Sequence, residues 1–282
     1  MPGSVGYTRL IAGLVLPHSL VEWIRHRKAR RQSAADNARA DAFKRSIAGM
    51  ARPVAVSYSR SEAVSFLSGL GCDRLQVEAG SMPESSLNYS CEQLRQHLQD
   101  RPILGLHIGN FVGVSLCHYA DFARKIDDRS IVVSIDPNLP HRGIRNPQEK
   151  VISCLNYFGF QHNAVLLTGF TLEKNASNDG VRITSDYDPA VEYGAELSCE
   201  NQLPMLSRLM PNTFDFVVID GNHEASYLSR ETALAHRLLK AGGILVMDDV
   251  DWTSLGDVYR GLDRELFEEL GFDNRIGLVR KK

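Results

Sequence analysis

The stretch FDFVVIDGNH, residues 214–223, places an acid and a histidine directly after a hydrophobic run. The apolar residues Val217 to Ile219 are typical of a buried strand. Asp220 ends this run, and His223 follows three positions later. Ligands bind beyond the carboxyl ends of the strands in open α/β sheets, so the pattern predicts a ligand site at this end of the strand.

Short apolar runs of this kind alternate with helical patterns from residue 101 onward. Strands are predicted at 102–109, 130–136, 163–169, 214–220 and 243–249, and helices at 114–126, 148–160, 202–209 and 224–240. This alternation predicts the α/β class, with a doubly wound, mainly parallel sheet that carries helices on both faces. Residues 1–98 show no repeated strand pattern and are predicted to form an N-terminal helical extension, with the sheet domain over 99–282.

Composition excludes several classes of protein. The 282 residues carry a net charge of −2, which gives no general attraction to nucleic acid. The five cysteines are widely spaced and form no CxxC pair, as expected of reduced thiols in a cytoplasmic protein and not of a disulfide framework or a zinc site.

The N-terminal region leaves two interpretations open. Residues 9–24 are apolar but interrupted by charged residues and a proline, and the basic stretch RHRKARR follows at 25–31. Such a pair could lie on an anionic membrane surface, or it could pack on the core or on a partner subunit. We favour the second interpretation and expect a homo-oligomer, a dimer. A separate polar stretch from Phe170 to about Tyr193 is longer than an ordinary connection and is predicted to be a functional loop or lid.

Glycines on the first predicted strand–helix turn indicate a ligand close to the backbone. Gly109 and Gly113 stand in GLHIGNFVGVS, residues 105–115, where the helix N-terminus offers unpaired N–H groups. The G-x-x-x-G spacing differs from the G-x-G-x-x-G of dinucleotide sites, which disfavours a nicotinamide-dependent oxidoreductase. Asp136 ends the second strand, where an acid can accept hydrogen bonds from ribose hydroxyls or cap a helix.

Together these features resemble the class I S-adenosylmethionine-dependent methyltransferases. The likeness is closer to their metal-dependent O-methyltransferase branch, which includes catechol, caffeoyl-CoA and macrolide-sugar enzymes. It covers roughly residues 101–280 and also rests on LLTG at 166–169, FVVIDGNH at 216–223 and LKAGGILVMDD at 239–249. It implies S-adenosylmethionine as the cofactor, with contacts at Gly109, Asn110, Gly113, Ser115, Asp136, Gly169 and Asp220. Two residues depart from the family pattern, since His107 and Phe170 stand where acids are usual.

Three carboxylates are predicted to meet at one sheet edge. Asp220 ends the fourth strand, and Asp248 and Asp249 end the fifth. Converging carboxylates repel each other unless a cation is present, and oxygen ligands suit a hard ion such as Mg²⁺ or Mn²⁺. An acid pair after a strand is also a good helix start. The resemblance implies that all three acids bind the divalent ion.

His223 is the candidate general base, although a capping or surface role is the alternative. An imidazole, whose ordinary pKa is about 6.5, can take a proton from a hydroxyl that a cation has polarised. Catechol-type relatives have lysine there and sugar-modifying relatives have histidine. The resemblance therefore implies methylation of a hydroxyl of a sugar, glycan or glycosylated metabolite. The alternatives are a phenolic acceptor and a non-catalytic cofactor-binding scaffold. The PHRGIRN loop brings three more candidates for acceptor contacts, or a merely solvated loop: His141, Arg142 and Arg145.

Overall fold

The computed structural model describes residues 56–172 and 201–282, all of which belong to one compact unit. Three predicted features lie outside the described residues. They are the apolar and basic stretches at 9–31, Cys199, and residues 173–193 of the predicted loop. The domain division at residue 98 stays a prediction. Within the described ranges, every helix is too short or too polar to cross a bilayer.

Between residues 102 and 249, the described strands and helices run in the order that the sequence predicts. Three helices come first: α1 (Arg60–Gly69), α2 (Arg74–Ala79) and α3 (Glu84–His97). The strands are β1 (Leu104–Ile108), β2 (Ile131–Asp136), β3 (Ala164–Thr168), β4 (Phe214–Ile219), β5 (Leu239–Met247), β6 (Phe267–Phe272) and β7 (Gly277–Lys281). The remaining helices are α4 (Val114–Ile126), α5 (Pro147–Tyr157), α6 (Gln202–Leu209), α7 (Ala225–Leu238) and α8 (Thr253–Arg260).

The seven strands form one sheet in the order β3-β2-β1-β4-β5-β7-β6. Strands β1 to β5 are parallel to one another, and β7 is antiparallel to both β5 and β6. The predicted mainly parallel α/β fold is confirmed. The antiparallel β6–β7 hairpin was not predicted, because β6 carries the mixed sequence FEELGF and lies at the sheet edge.

Apolar side chains cover both faces of the sheet. On one face Phe216, Val218 and Val246 pack with residues of α1, α3, α4 and α5. On the other face Val217 and Leu245 pack with residues of α6, α7 and α8. Successive strand residues point to opposite faces, so the middle of a central strand buried on both sides must be apolar, as Phe216 to Ile219 of β4 are.

The turn after β1 passes unusually close to the end of β4. Gly109 has φ +82°, and a Cβ built on it would lie 1.9 Å from the carbonyl oxygen of Asp220. The Asp220 N–H donates to the Ile108 carbonyl at 2.9 Å, and the Gly109 N–H donates to the Ile135 carbonyl at 2.9 Å. These contacts tie the ends of β1, β2 and β4 together and require glycine at position 109.

A buried acid fastens the chain after β3 to α7. Glu231 is 0% exposed, and one carboxyl oxygen accepts a hydrogen bond from the Thr171 hydroxyl. Its other oxygen has no hydrogen-bond partner. Burial raises the pKa of Glu231 to about 8, although the hydrogen bond from Thr171 lowers it in part. Glu231 is therefore largely protonated in the folded protein at neutral pH.

We expect Gly109→Ala to destabilise the fold far more than Gly143→Ala. Both residues have a positive φ, so both variants carry the left-handed cost of about 1–2 kcal/mol. Only the Cβ at 109 meets backbone, since nothing lies within 4 Å of a Cβ at 143. Urea denaturation should show a loss above about 3 kcal/mol for Gly109→Ala alone. Equal losses in the two variants would contradict the close approach.

Glu231 should make the protein less stable as the pH rises. The unfolded chain releases this proton near its ordinary pKa of about 4.5, whereas the folded protein holds it up to about 8, so stability falls between these values. Over this range the free energy of unfolding falls by about 1 kcal/mol per pH unit. We expect Glu231→Gln to flatten the decline in unfolding free energy between pH 5 and pH 8. The exposed control Glu92→Gln should leave it intact, and an unchanged slope in Glu231→Gln would refute the assignment.

Candidate active site

The residues predicted from strand ends lie along one edge of the sheet. Gly109 follows β1, Asp136 ends β2, Gly169 follows β3, Asp220 follows β4 and Asp248 follows β5. These five strands are parallel and their ladders are in register, so their carboxyl ends emerge together. Topology therefore gathers residues that are more than 130 positions apart in the sequence.

Asp136 holds the glycine turn in place. Its Oδ2 accepts hydrogen bonds from the N–H groups of Asn110 at 2.7 Å and Phe111 at 3.2 Å, and its Oδ1 accepts one from Asn138 at 2.6 Å. Burial raises the pKa of Asp136, and these three backbone hydrogen bonds oppose that shift. A carboxylate has about four acceptor sites, so little capacity is left for a ribose. The sequence indicated a ligand contact but not this structural role.

The other predicted cofactor residues surround this turn. The Asn110 side chain is 3% exposed and donates to the Ser134 hydroxyl at 3.1 Å. Gly113, with φ +93°, precedes α4, and buried Ser115 lies in the first turn of that helix. Gly169 lies beside these residues, because its N–H donates a hydrogen bond to the Asp136 carbonyl at 3.1 Å. A helix N-terminus and a close backbone turn thus stand side by side, as in anion- and nucleoside-binding sites.

The two positions that depart from the family pattern contribute no negative charge. His107 on β1 is 0% exposed, and neither ring nitrogen has a hydrogen-bond partner. Burial lowers the pKa of His107 to about 3, so the imidazole is neutral. The carbonyl of Phe170 accepts a hydrogen bond from the Gln202 N–H at 3.0 Å, which links the chain after β3 to α6.

Asp220, His223 and Asp249 converge beyond β4 and β5. One ligand atom from each lies within 4.8 Å of the others. His223 Nε2 is 2.9 Å from Asp249 Oδ2. The two carboxylates fit a hard divalent cation that keeps several waters, since Mg²⁺ takes one or two carboxylates and Mn²⁺ also prefers oxygen ligands.

Asp248, predicted as a cation ligand, is hydrogen-bonded to an arginine. Its Oδ1 and Oδ2 each accept a hydrogen bond at 2.7 Å from Arg275, which precedes β7. The same guanidinium lies 2.7 Å from Asp249 Oδ1. The structure thus brings all three predicted acids together but pairs both oxygens of Asp248 with an arginine. Sequence reasoning missed Arg275 because its place depends on the antiparallel pairing of β5 with β7.

The charges in this cluster perturb one another. Burial raises the pKa of Asp220, and the charge of Asp248, their mutual hydrogen bond and the charge of Asp249 raise it further. Burial also raises the pKa of Asp248, which the Arg275 hydrogen bonds oppose. Burial disfavours the charge of Arg275, but its bonds to Asp248 and the three carboxylate charges outweigh burial and raise its pKa. The arrangement favours a protonated Asp220 unless another positive charge arrives.

The solvent-facing side of the cluster carries aromatic and imidazole rings. The His223 side chain is 37% exposed, and its ring lies 5.0 Å from the Trp252 ring. Trp252 itself is 49% exposed. His141, from the loop after β2, packs edge-on against Phe111 at 5.4 Å. Arg142 and Arg145 belong to the same loop, at the same edge of the sheet. An acceptor molecule can therefore reach His223 from solvent.

Comparisons with known proteins agree with this geometry. A family model described as "Methyltransferase domain" matches residues 106–250, which hold the glycine turn, Asp136 and the acidic cluster. No curated protein sequence matches the chain. An O-methyltransferase from Bacillus cereus, solved in complex with SAH, is similar in fold at 12% identity and a TM-score of 0.51, over 82% of this chain and 94% of that one.

A second solved structure comes from Staphylococcus aureus and is provisionally assigned as a caffeoyl-CoA O-methyltransferase. It covers 80% of this chain and 93% of its own, with 14% identity and a TM-score of 0.51. At these identities the likeness concerns the fold. The family match spans more than half of the 282 residues. The chain therefore belongs to the methyltransferase-domain family and has the class I S-adenosylmethionine-dependent methyltransferase fold.

Proposed function

We propose that the protein is a divalent-cation-dependent O-methyltransferase that uses S-adenosylmethionine. Its acceptor is a hydroxyl of a sugar, a glycan or a glycosylated metabolite. The observation that carries this proposal is the convergence of Asp220, His223 and Asp249 beside the glycine turn. A non-catalytic scaffold would have no use for such a cluster, and the two halves of a transfer site are adjacent.

The turn after β1 is the proposed cofactor site. The cofactor supplies an electrophilic methyl group when it is bound. Gly109 and Gly113 let it approach the backbone, and Asp136 keeps the turn rigid through the N–H groups of Asn110 and Phe111. The O-methyltransferase from Bacillus cereus, solved in complex with SAH, supports this assignment by analogy of fold.

Asp220 and Asp249 are the proposed cation ligands, and His223 lies beside them. A bound Mg²⁺ or Mn²⁺ supplies Lewis-acid polarisation of the acceptor hydroxyl. Asp248 was predicted as a ligand too, and its hydrogen bonds to Arg275 instead favour a supporting role. The cluster lies beyond β4, next to the turn that follows β1, so the acceptor oxygen and the methyl group can meet.

His223 is the proposed general base. Its Nε2 lies 2.9 Å from Asp249 Oδ2, and a hydrogen bond there orients the ring and leaves Nδ1 to receive a proton. Its partial exposure allows an acceptor hydroxyl to come within reach. This is the arrangement of a base that is oriented by a carboxylate.

Trp252 supports a ring-shaped acceptor. Its half-exposed indole lies beside His223, where the apolar face of a sugar ring can pack against it. A phenolic acceptor could stack on the same side chain, so Trp252 alone does not decide between the two classes. The histidine at 223, which sugar-modifying relatives share, favours the sugar.

We expect a chelator to abolish turnover and Mg²⁺ or Mn²⁺ to restore it, because the proposed reaction depends on the cation to polarise the acceptor hydroxyl. Binding of S-adenosylmethionine, measured by calorimetry, should survive the chelator. Asp220→Asn should remove most activity, while Asp251→Asn, a change at an exposed acid near the cluster, should not. Full activity in excess chelator would show that the cation is not required.

His223→Ala should lower kcat by roughly 10²–10⁴, the usual contribution of a positioned base. Cofactor affinity should change little, and the exposed control His162→Ala should retain its rate. The measurement is steady-state turnover of folded protein at saturating cation.

Two other results would overturn this role of His223. A normal kcat with lower thermal stability would make the histidine structural. Recovery of the variant by additional Mg²⁺ would make it a cation ligand, since excess ion compensates for weaker binding but not for a missing base.

A further inference from the structure

Arg275 neutralises two acids of the candidate site at once. Its guanidinium donates to both oxygens of Asp248 and also contacts Asp249 Oδ1, all at 2.7 Å. The two carboxylate side chains are 1% and 5% exposed, so solvent screens this charge poorly. Among the described residues, Arg275 is the only arginine or lysine paired with either acid.

Two hydrogen bonds anchor the backbone of Arg275 beside the acids. The Arg275 N–H donates to Asp273 Oδ1 at 2.9 Å, and the Arg275 carbonyl accepts from the Val250 N–H at 2.9 Å. The second bond joins the turn before β7 to the residue that follows Asp249. The backbone of Arg275 is therefore anchored beside the two acids, and its guanidinium reaches them from there.

This placement divides the carboxylate oxygens into two groups. Both oxygens of Asp248 and Oδ1 of Asp249 face Arg275, whereas Oδ2 of Asp249 faces His223. Oδ2 of Asp249 is thus the oxygen on the His223 side of the converging group. One arginine thus decides which oxygens a cation can reach and which way the carboxylate beside His223 turns.

We propose that Arg275 is an internal counter-ion and positioning residue of the acidic site. It keeps Asp248 out of the coordination shell of the cation, weakens cation binding by its own charge, and holds Asp249 toward His223. The protein can then stay folded with the site empty and exchange its cation freely. This inference rests on the proposed cation site, which it deepens by naming the residue that sets the affinity.

The test compares Arg275→Gln with Arg280→Gln in the full-length protein. Arg280 lies on the same hairpin and pairs with the exposed Glu268, so its loss controls for a weakened β6–β7 edge. Mn²⁺ affinity is measured by calorimetry, and melting temperature is measured with and without chelator. Removing the internal charge frees Asp248 and removes a repulsion.

We expect Arg275→Gln to bind Mn²⁺ at least about tenfold more tightly than the wild type, a difference of about 1.4 kcal/mol. Its melting temperature in chelator should fall, because the buried acids Asp248 and Asp249 lose their counter-ion, and Mn²⁺ should restore it. Arg280→Gln should show neither change. A merely structural arginine would lower the melting temperature without tightening Mn²⁺ binding.

The outcomes separate this inference from the proposed function. If the wild type binds no Mn²⁺ but Arg275→Gln does, the counter-ion role stands and the cation dependence of the wild type fails. Unchanged or weaker binding in the variant, or binding by neither protein, overturns the inference. Should Arg275→Gln not fold, Arg275→Lys replaces it, because lysine keeps the charge but cannot bridge both acids. We then expect about threefold tighter binding from the released Asp248, and no change would overturn the proposal.

Discussion

The approach of the Gly109 turn to the backbone of Asp220 is the constraint on which the site depends. A side chain at 109 would come within 1.9 Å of the Asp220 carbonyl oxygen, so the ends of β1 and β4 can meet only because glycine stands there. The same turn is held from the β2 side by Asp136. Three strand ends are thereby fixed relative to one another, and the side chains that follow them inherit that geometry.

The two acids of β4 show how position decides the chemistry of a carboxylate. Asp215, at the start of the strand, contacts Arg101 and Lys240 and accepts the Leu104 N–H, so its charge is balanced within the fold. Asp220, at the other end, faces two further acids and only a share of Arg275. The strand thus begins with an acid whose charge is balanced within the fold and is followed by an acid that lies in a crowded acidic cluster.

The candidate site joins a rigid half to an accessible half. Asn110, Ser115 and Asp136 are buried and hydrogen-bonded or packed around the glycine turn, as preorganised binding of a cofactor requires. His223 and Trp252 are partly exposed, as an exchangeable acceptor requires. Arg275 belongs to the rigid half, yet it contacts Asp249, whose other oxygen lies 2.9 Å from the accessible His223. The family match and the geometry therefore support one reaction class, methyl transfer.

The sequence by itself determined the parallel sheet, the glycine turn and the acids at the strand ends, because all of these follow from local periodicity and from residues adjacent to predicted strands. It did not determine the β6–β7 hairpin, since β6 has no apolar alternation and is defined only by its antiparallel pairing with β7. It also missed the backbone hydrogen bonds of Asp136 and the pairing of Asp248 with Arg275. Those were decided only by the tertiary structure, because antiparallel pairing of β5 with β7 brings an arginine beside an acid 27 positions earlier in the chain.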